Sequence, residues 1–384
     1  MSLEAKSGKT IVAIDPATEN TITEVQAAGE EDIDIAVKAA RKAFENPEWK
    51  DLDTAQRGKL LLKLSILAER DAEILATIDS WDNGKPYTAA MTEDAAEVIS
   101  VFQYYGGWAD KNHGQMINLG LDKWAYTRHE PVGVCGQIIP WKYPVMMAAW
   151  NLGLYLHVVT PLCSRLPLSV LYLAKLIKEA GFPAGVVNII NGYGAEAGSA
   201  ITAHPGIDKI AFTGSTITGK TIMKKASETL KSVTLETGGK SPLIVFDNAD
   251  FEQAVNPQVS KAQYEKILSL IESGKSEGAG LLTGGAHSGD KGFYIQPTVF
   301  RDVKPNMKIV REEIFGPCVN LRKAHRVAAG VQAGTVWIIS SQDTHWGVPF
   351  GGYKQSGIGR ELGSYALSAY TQVKAVHATP QPYG

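Results

Sequence analysis

Residues 132–139, 158–159, 186–190 and 209–212 are short apolar runs, and amphipathic stretches at 146–154, 168–179 and 196–203 separate them. Strands buried on both faces read as continuous apolar runs, and helices that cover them carry one apolar stripe. This rhythm predicts an α/β fold built on a doubly wound parallel sheet with helices on both faces. Gly181 and Pro183 close the 168–179 helix. Upstream, Ile33, Val37, Ala40 and Phe44 mark one helix face, and Leu60, Leu61, Leu64 and Leu67 mark another. The second run breaks at Asp82-Asn83-Gly84-Lys85-Pro86, and a third helical stretch spans 91–108. Residues 123–128 alternate as a strand does.

A chain of 384 residues is long enough for two or three domains, and its 44% hydrophobic and 20% charged residues are ordinary globular values. A net charge of −2 offers no electrostatic case for nucleic acid or an anionic membrane. Three unpatterned cysteines, Cys135, Cys163 and Cys318, point to a reducing compartment. With no signal core or Arg-rich transit pattern after Met1, a cytoplasmic location is expected. The uncharged stretch 143–164 is long enough to cross a bilayer, but Pro144, Asn151, Gly153, His157 and Pro161 suit a buried helix leading into a buried strand. No metal site is expected.

Two motifs carry chemistry. Leu235-Glu236-Thr237-Gly238-Gly239-Lys240-Ser241-Pro242 sets one carboxylate among small residues between β-rich 232–235 and 242–246. Such a run suits a general base presented at a strand end, or a plain glycine turn with a solvated Glu. Phe212-Thr213-Gly214-Ser215-Thr216-Ile217-Thr218-Gly219 leaves a strand and opens a helix that continues through Ile222 and Ala226. The free N–H groups and dipole of a helix start attract phosphate, although any strand-to-helix turn uses glycine.

These motifs, with Asp15-Pro16-Ala17-Thr18, Ile138-Ile139-Pro140-Trp141, Glu312-Glu313-Ile314-Phe315-Gly316-Pro317 and Pro349-Phe350-Gly351-Gly352-Tyr353-Lys354-Gln355-Ser356-Gly357, resemble the aldehyde dehydrogenase superfamily over nearly the whole chain. The likeness is to the fungal and animal NAD(P)-dependent enzymes that oxidise aldehydes to carboxylic acids. The resemblance implies a Rossmann-like cofactor domain (1–120 and 132–255), an α/β catalytic domain, here a remnant at 256–362, and small bridging, oligomerising strands at 121–131 and 363–384. It implies an aldehyde substrate, NAD or NADP as cofactor, and a homo-oligomer. By resemblance Glu236 is the general base, while Glu313 and Phe315 hold the nicotinamide ribose and ring. Thr213, Gly214, Ser215, Thr216, Gly219 and Thr237 belong to the phosphate-approach turn and its neighbour strand. Gly194 and Gly198 lie beside the adenine, and Ile139, Pro140 and Trp141 end the strand under the dinucleotide.

Four departures accompany the match. Asn256-Pro257 runs straight into Gln258-Val259-Ser260-Lys261, where relatives carry the nucleophilic Cys in a stretch of roughly fifty residues, about a third of a typical domain. Leu321-Arg322-Lys323-Ala324-His325-Arg326 reads as a second join. The oxyanion Asn expected after Trp141 is Lys142, and the adenosine-ribose Lys and Glu are Pro161 and Ser164. Cys135 reads as a small buried hydrophobe, Cys163 sits in the rewritten strand, and Cys318 is the cysteine that follows the Glu313–Pro317 loop. The chain is therefore expected to be impaired or inactive, with weakened dinucleotide binding, low solubility and an open pocket around Glu236. Proteolysis is expected first at the two joins. The alternatives are a non-catalytic dinucleotide-binding or structural paralogue, and a defective gene product or gene model.

Overall fold

A computed structural model describes residues 5–120, 123–154, 160–164, 168–239, 257–316, 318–320, 333–336 and 344–378. Its centre is a six-stranded sheet in the spatial order Gly357–Ile358, Ser232–Thr237, Lys209–Gly214, Cys135–Ile138, Thr160–Ser164, Val187–Asn191. The last five strands are parallel, and Gly357–Ile358 is an antiparallel edge against Leu235 and Glu236. Strand order reverses between Cys135–Ile138 and Lys209–Gly214. That is the switch point at which open α/β sheets bind ligands beyond their carboxyl ends.

Side-chain alternation sorts the sheet into two cores. Val134, Ile210, Phe212 and Leu235 face one way and pack with Ile33, Val37 and Ala40 of helix Glu30–Glu45, Ile201, and Ile222 of helix Thr216–Ala226. Cys135, Ile139 and Ala211 face the other way. There they meet helices Thr54–Arg70, Ala96–Trp108, Pro144–Gly153 and Leu168–Ala180. Every residue of Pro144–Gly153 is buried, so the apolar stretch is a core helix followed by the strand Thr160–Ser164. No helix among the described residues is long and apolar enough to cross a membrane.

Besides the antiparallel pair Thr10–Ile14 and Thr21–Gln26, two three-stranded sheets accompany this unit. Trp124–Pro131 pairs antiparallel with Thr371–Ala378, the two expected bridging strands, and Met116–Asn118 joins them as a third strand. Gly280–Thr283, Thr298–Arg301 and Cys318–Asn320 form the other, beside helix Lys261–Ser276 and a core of Ile267, Ile271, Ile295, Phe300 and Ile309. Of the run Tyr294–Phe300, rich in β-forming residues, only the end joins the strand Thr298–Arg301, and Ile295 makes an isolated bridge to His287. Gly357–Ile358, expected within the catalytic remnant, hydrogen-bonds to the nucleotide-type sheet instead. The β-rich run 242–246 and the join at 321–326 lie outside the described residues.

Candidate active site

The carboxyl ends of the two switch-point strands bring the motifs together. Ile139, buried, leads through Pro140 to Trp141 at the end of Cys135–Ile138. Thr213 and Gly214 end the neighbouring strand, in register with Glu236 and Thr237 on the next. Ser215 is the N-cap of Thr216–Ala226, and its Oγ accepts from the Thr218 N–H at 3.2 Å. The Gly219 N–H makes the first intrahelical bond, to the Ser215 carbonyl, so the N–H groups of Thr216 and Ile217 precede it, as in an anion site at a helix start. Gly219 in that helix approaches the Thr237 side chain closely. Gly194 and Gly198 bound a π-helical turn next to the sheet: Gly198 lies 3.8 Å (as a built Cβ) from Ile138 Cδ1, and Gly194 opens to space.

The Glu313–Phe315 loop closes on the same end. The Trp141 and Phe315 rings meet edge to face at 5.8 Å, and both remain more than a third exposed. Phe315 has a φ of 60°, a left-handed conformation unusual for an aromatic residue, and Gln263 Nε2 donates to its carbonyl at 3.0 Å. Gly238 leaves room for the Glu313 carboxylate, which a Cβ there would overlap. Thr237 Oγ1 donates to the Gln355 carbonyl at 2.6 Å, tying the Glu236 strand to the 349–357 motif. The residues selected from 139–141, 213–219, 237 and 313–315 therefore gather around one mouth, and Gly198 lies against Ile138, the residue before Ile139.

Glu236 departs from expectation. It is 7% exposed, not set in an open pocket, because Gly351 and Arg360 fold over it: a Cβ on Gly351 would stand 2.9 Å from both Glu236 Oε1 and Arg360 Cδ. Burial, then the neighbouring Glu361 carboxyl, pushes Glu236 well above the usual carboxylate range, against the pull of Arg360 and the Gly352 N–H. Its Oε1 has no hydrogen-bond partner among the described residues. Small residues shield poorly in sequence, but here they let a distant loop approach the carboxylate.

Behind it lies a polar network that the sequence reading missed. Lys209 and Thr234 share the Glu236 face of the sheet, and the fully buried Lys209 Nζ donates to Thr234 Oγ1 at 2.6 Å. Burial lowers Lys209 to about 8, and burial raises Glu361 to about 7, with Lys209 and Asn151 opposing that rise. Tyr370 Oη donates to Asn151 Oδ1 at 3.2 Å. The signal that was available is Arg360-Glu361, a charged pair directly after a glycine-rich run.

The two thiols that are described stand apart from Glu236. Cys135 is fully buried, and burial pushes its thiol up to about 12. It pairs with Lys209, and Lys209 with Ser232, four residues before Glu236. That separates Cys135 from Glu236 by two strands laterally and about 13 Å along the strands. Cys318 packs against the Ile267 core, and burial pushes it up to about 11. The side chain of Cys163 lies outside the described residues.

The sequence pattern of the aldehyde dehydrogenase family matches residues 3–256, 254–323 and 318–376. An aldehyde dehydrogenase of Emericella nidulans is 44% identical over 458 aligned positions, covering 96% of this chain and 92% of that protein. The mitochondrial aldehyde dehydrogenase of Homo sapiens is 42% identical, covering 97% and 89%. A structure of the Bacillus cereus aldehyde dehydrogenase in complex with NAD+ superposes with a TM-score of 0.94 at 42% identity, covering 99% of this chain and 95% of that one. With these matches over nearly its whole length, the chain belongs to the aldehyde dehydrogenase family.

Proposed function

We propose that this chain binds NAD or NADP at the switch-point mouth, recognises aldehydes there, and does not turn them over. The Thr213–Gly219 turn would hold the diphosphate, Glu313 and Phe315 the nicotinamide half, and Ile139–Trp141 the floor. That the similar Bacillus cereus aldehyde dehydrogenase forms an NAD+ complex supports a dinucleotide as the ligand. When bound, the dinucleotide supplies a hydride acceptor. Aldehyde oxidation needs a thiolate to attack the carbonyl and a base to activate water. The observation that carries the reading is the packing of both described thiols in apolar cores, Cys135 fully and Cys318 partly buried, where they are held protonated. Glu236, also held protonated by burial, is a poor base at neutral pH.

The reading extends to the missing segments. The family pattern breaks near 254–256 and 318–323, beside the two joins, and the Emericella alignment spans 458 positions against a chain of 384 residues. Those observations favour internal loss, either in a non-catalytic paralogue or in a defective gene product or gene model; sequencing the transcript separates the two. Pro161 and Ser164 offer no charged ribose clamp, so dinucleotide affinity is expected near millimolar, given that a charged hydrogen bond contributes roughly 1.5–3 kcal/mol. The test is NADH formation at 340 nm by the purified chain with NAD+ and propanal. We expect none above a protein-free blank. Steady production that Cys318→Ser or Cys163→Ser abolishes would overturn the reading and name the nucleophile.

A further inference from the structure

Lys142 follows Trp141 at the mouth, and its surroundings differ from those of the other buried lysines. Lys209 donates to Thr234, Lys231 to Thr229, and Lys85 pairs with Asp94. The Lys142 Nζ has no hydrogen bond or ion pair among the described residues. It lies 4.6 Å from the centre of the Phe315 ring and 5.2 Å from that of Tyr143. Its backbone is fixed, because the buried Asn83 side chain donates to the Trp141 carbonyl at 2.7 Å and to the Lys142 carbonyl at 3.0 Å. The exposed faces of Trp141 and Phe315 leave the amine approachable from the mouth. Burial, then the neighbouring Lys85 ammonium, lowers Lys142 from its ordinary value, against the Glu313 carboxylate. A desolvated lysine seated on aromatic rings is a nucleophile toward carbonyls.

We propose that the Lys142 ε-amine, presented over the Phe315 ring beside Trp141, condenses reversibly with aldehydes that carry an aromatic or apolar body. The amine lone pair attacks the carbonyl carbon as the C–O π pair moves to oxygen. A proton then passes from nitrogen to oxygen, giving a carbinolamine. Loss of water forms the C=N bond. Aldehyde plus amine becomes imine plus water, with no change of oxidation state. The aromatic slot favours an aryl body through offset or edge-to-face contacts. The proposal rests on the reading that aldehydes enter this mouth, but it requires neither thiol nor dinucleotide.

The test uses the full chain with benzaldehyde and sodium cyanoborohydride, which fixes imines as secondary amines, followed by peptide mass spectrometry over time. Lys142 is expected to be labelled about tenfold faster than Lys38 and Lys261, as pre-orientation beside the reacting carbon predicts. Both reference side chains are largely exposed. Lys142→Arg keeps a long side chain over the ring but offers no nucleophilic amine, and should remove the fast adduct while leaving the slow labelling of Lys38 and Lys261 unchanged. Labelling of Lys142 at or below the rate of Lys38 and Lys261 overturns the proposal. NADH recorded in parallel samples with NAD+ separates the two readings. Turnover with fast Lys142 labelling sinks the inactive reading alone; slow labelling without turnover sinks the amine proposal alone.

Discussion

At the scale of single residues, the site is governed by how burial redistributes protons. Glu361 holds its proton to about 7 in the folded chain against an ordinary 4.5. A carboxyl raised in this way contributes stability that is complete below its unfolded value and is lost as pH rises through its folded one. Glu236 adds to the same trend. Lys209 acts oppositely, but only between about 8 and its ordinary 10.5, where the folded chain binds fewer protons than the unfolded. Stability should therefore fall between pH 5 and pH 7. Glu361→Gln should make that fall shallower by about 1–3 kcal/mol, since each tenfold change in proton affinity corresponds to about 1.4 kcal/mol. Urea midpoints of both proteins at the two pH values check this; equal slopes would show that Glu361 carries no burden of desolvation. None of this was legible in the sequence. Glu236 stood out among its glycines, but its burial depends on Gly351 and Arg360, which arrive from the far end of the chain.

Among elements, the helix Thr216–Ala226 joins a local signal to the binding role proposed for it. Ser215 caps it through Thr218, and loss of such a cap costs about 1 kcal/mol. Ser215→Ala should lower the denaturation midpoint accordingly. Ser215→Asp should keep the cap within a few tenths of a kcal/mol yet weaken dinucleotide binding, because the added carboxylate repels phosphate at the same helix start. Thermal unfolding with and without NAD+ separates the two effects, and a Ser215→Asp chain that still gains as much from NAD+ would place the phosphate elsewhere. This element was readable in advance, since strand, glycine turn, cap and amphipathic stripe are consecutive in the chain. The Tyr294–Phe300 stretch was not. Its β-forming residues are divided between an isolated bridge at Ile295 and the strand Thr298–Arg301, a choice made by the partners Gly280–Thr283 and Cys318–Asn320.

For the whole molecule, the exposed ends of the bridging sheet bear on assembly. Thr371–Ala378 is an edge strand whose Val373 is 62% exposed, and Met116 on the opposite edge is 71% exposed. Apolar edges of this kind are templates for pairing with another chain. If the chain assembles through them, it should sediment as an oligomer, and Val373→Lys, an edge charge, should shift it to a smaller species. Identical sedimentation of the two would place the contact elsewhere. The parallel, doubly wound sheet and the glycine turn that follows Phe212 were legible in the sequence alone, because hydrophobic periodicity and glycine position act over a few neighbouring residues, whereas the bridging strands were implied by the resemblance. Tertiary structure decided the rest: the shielding of Glu236, the Lys209–Glu361 network, the seat of Lys142 on Phe315, and the transfer of Gly357–Ile358 to the nucleotide-type sheet. Each of these joins segments distant in the chain, and burial and charge at such junctions follow from where the chain closes on itself.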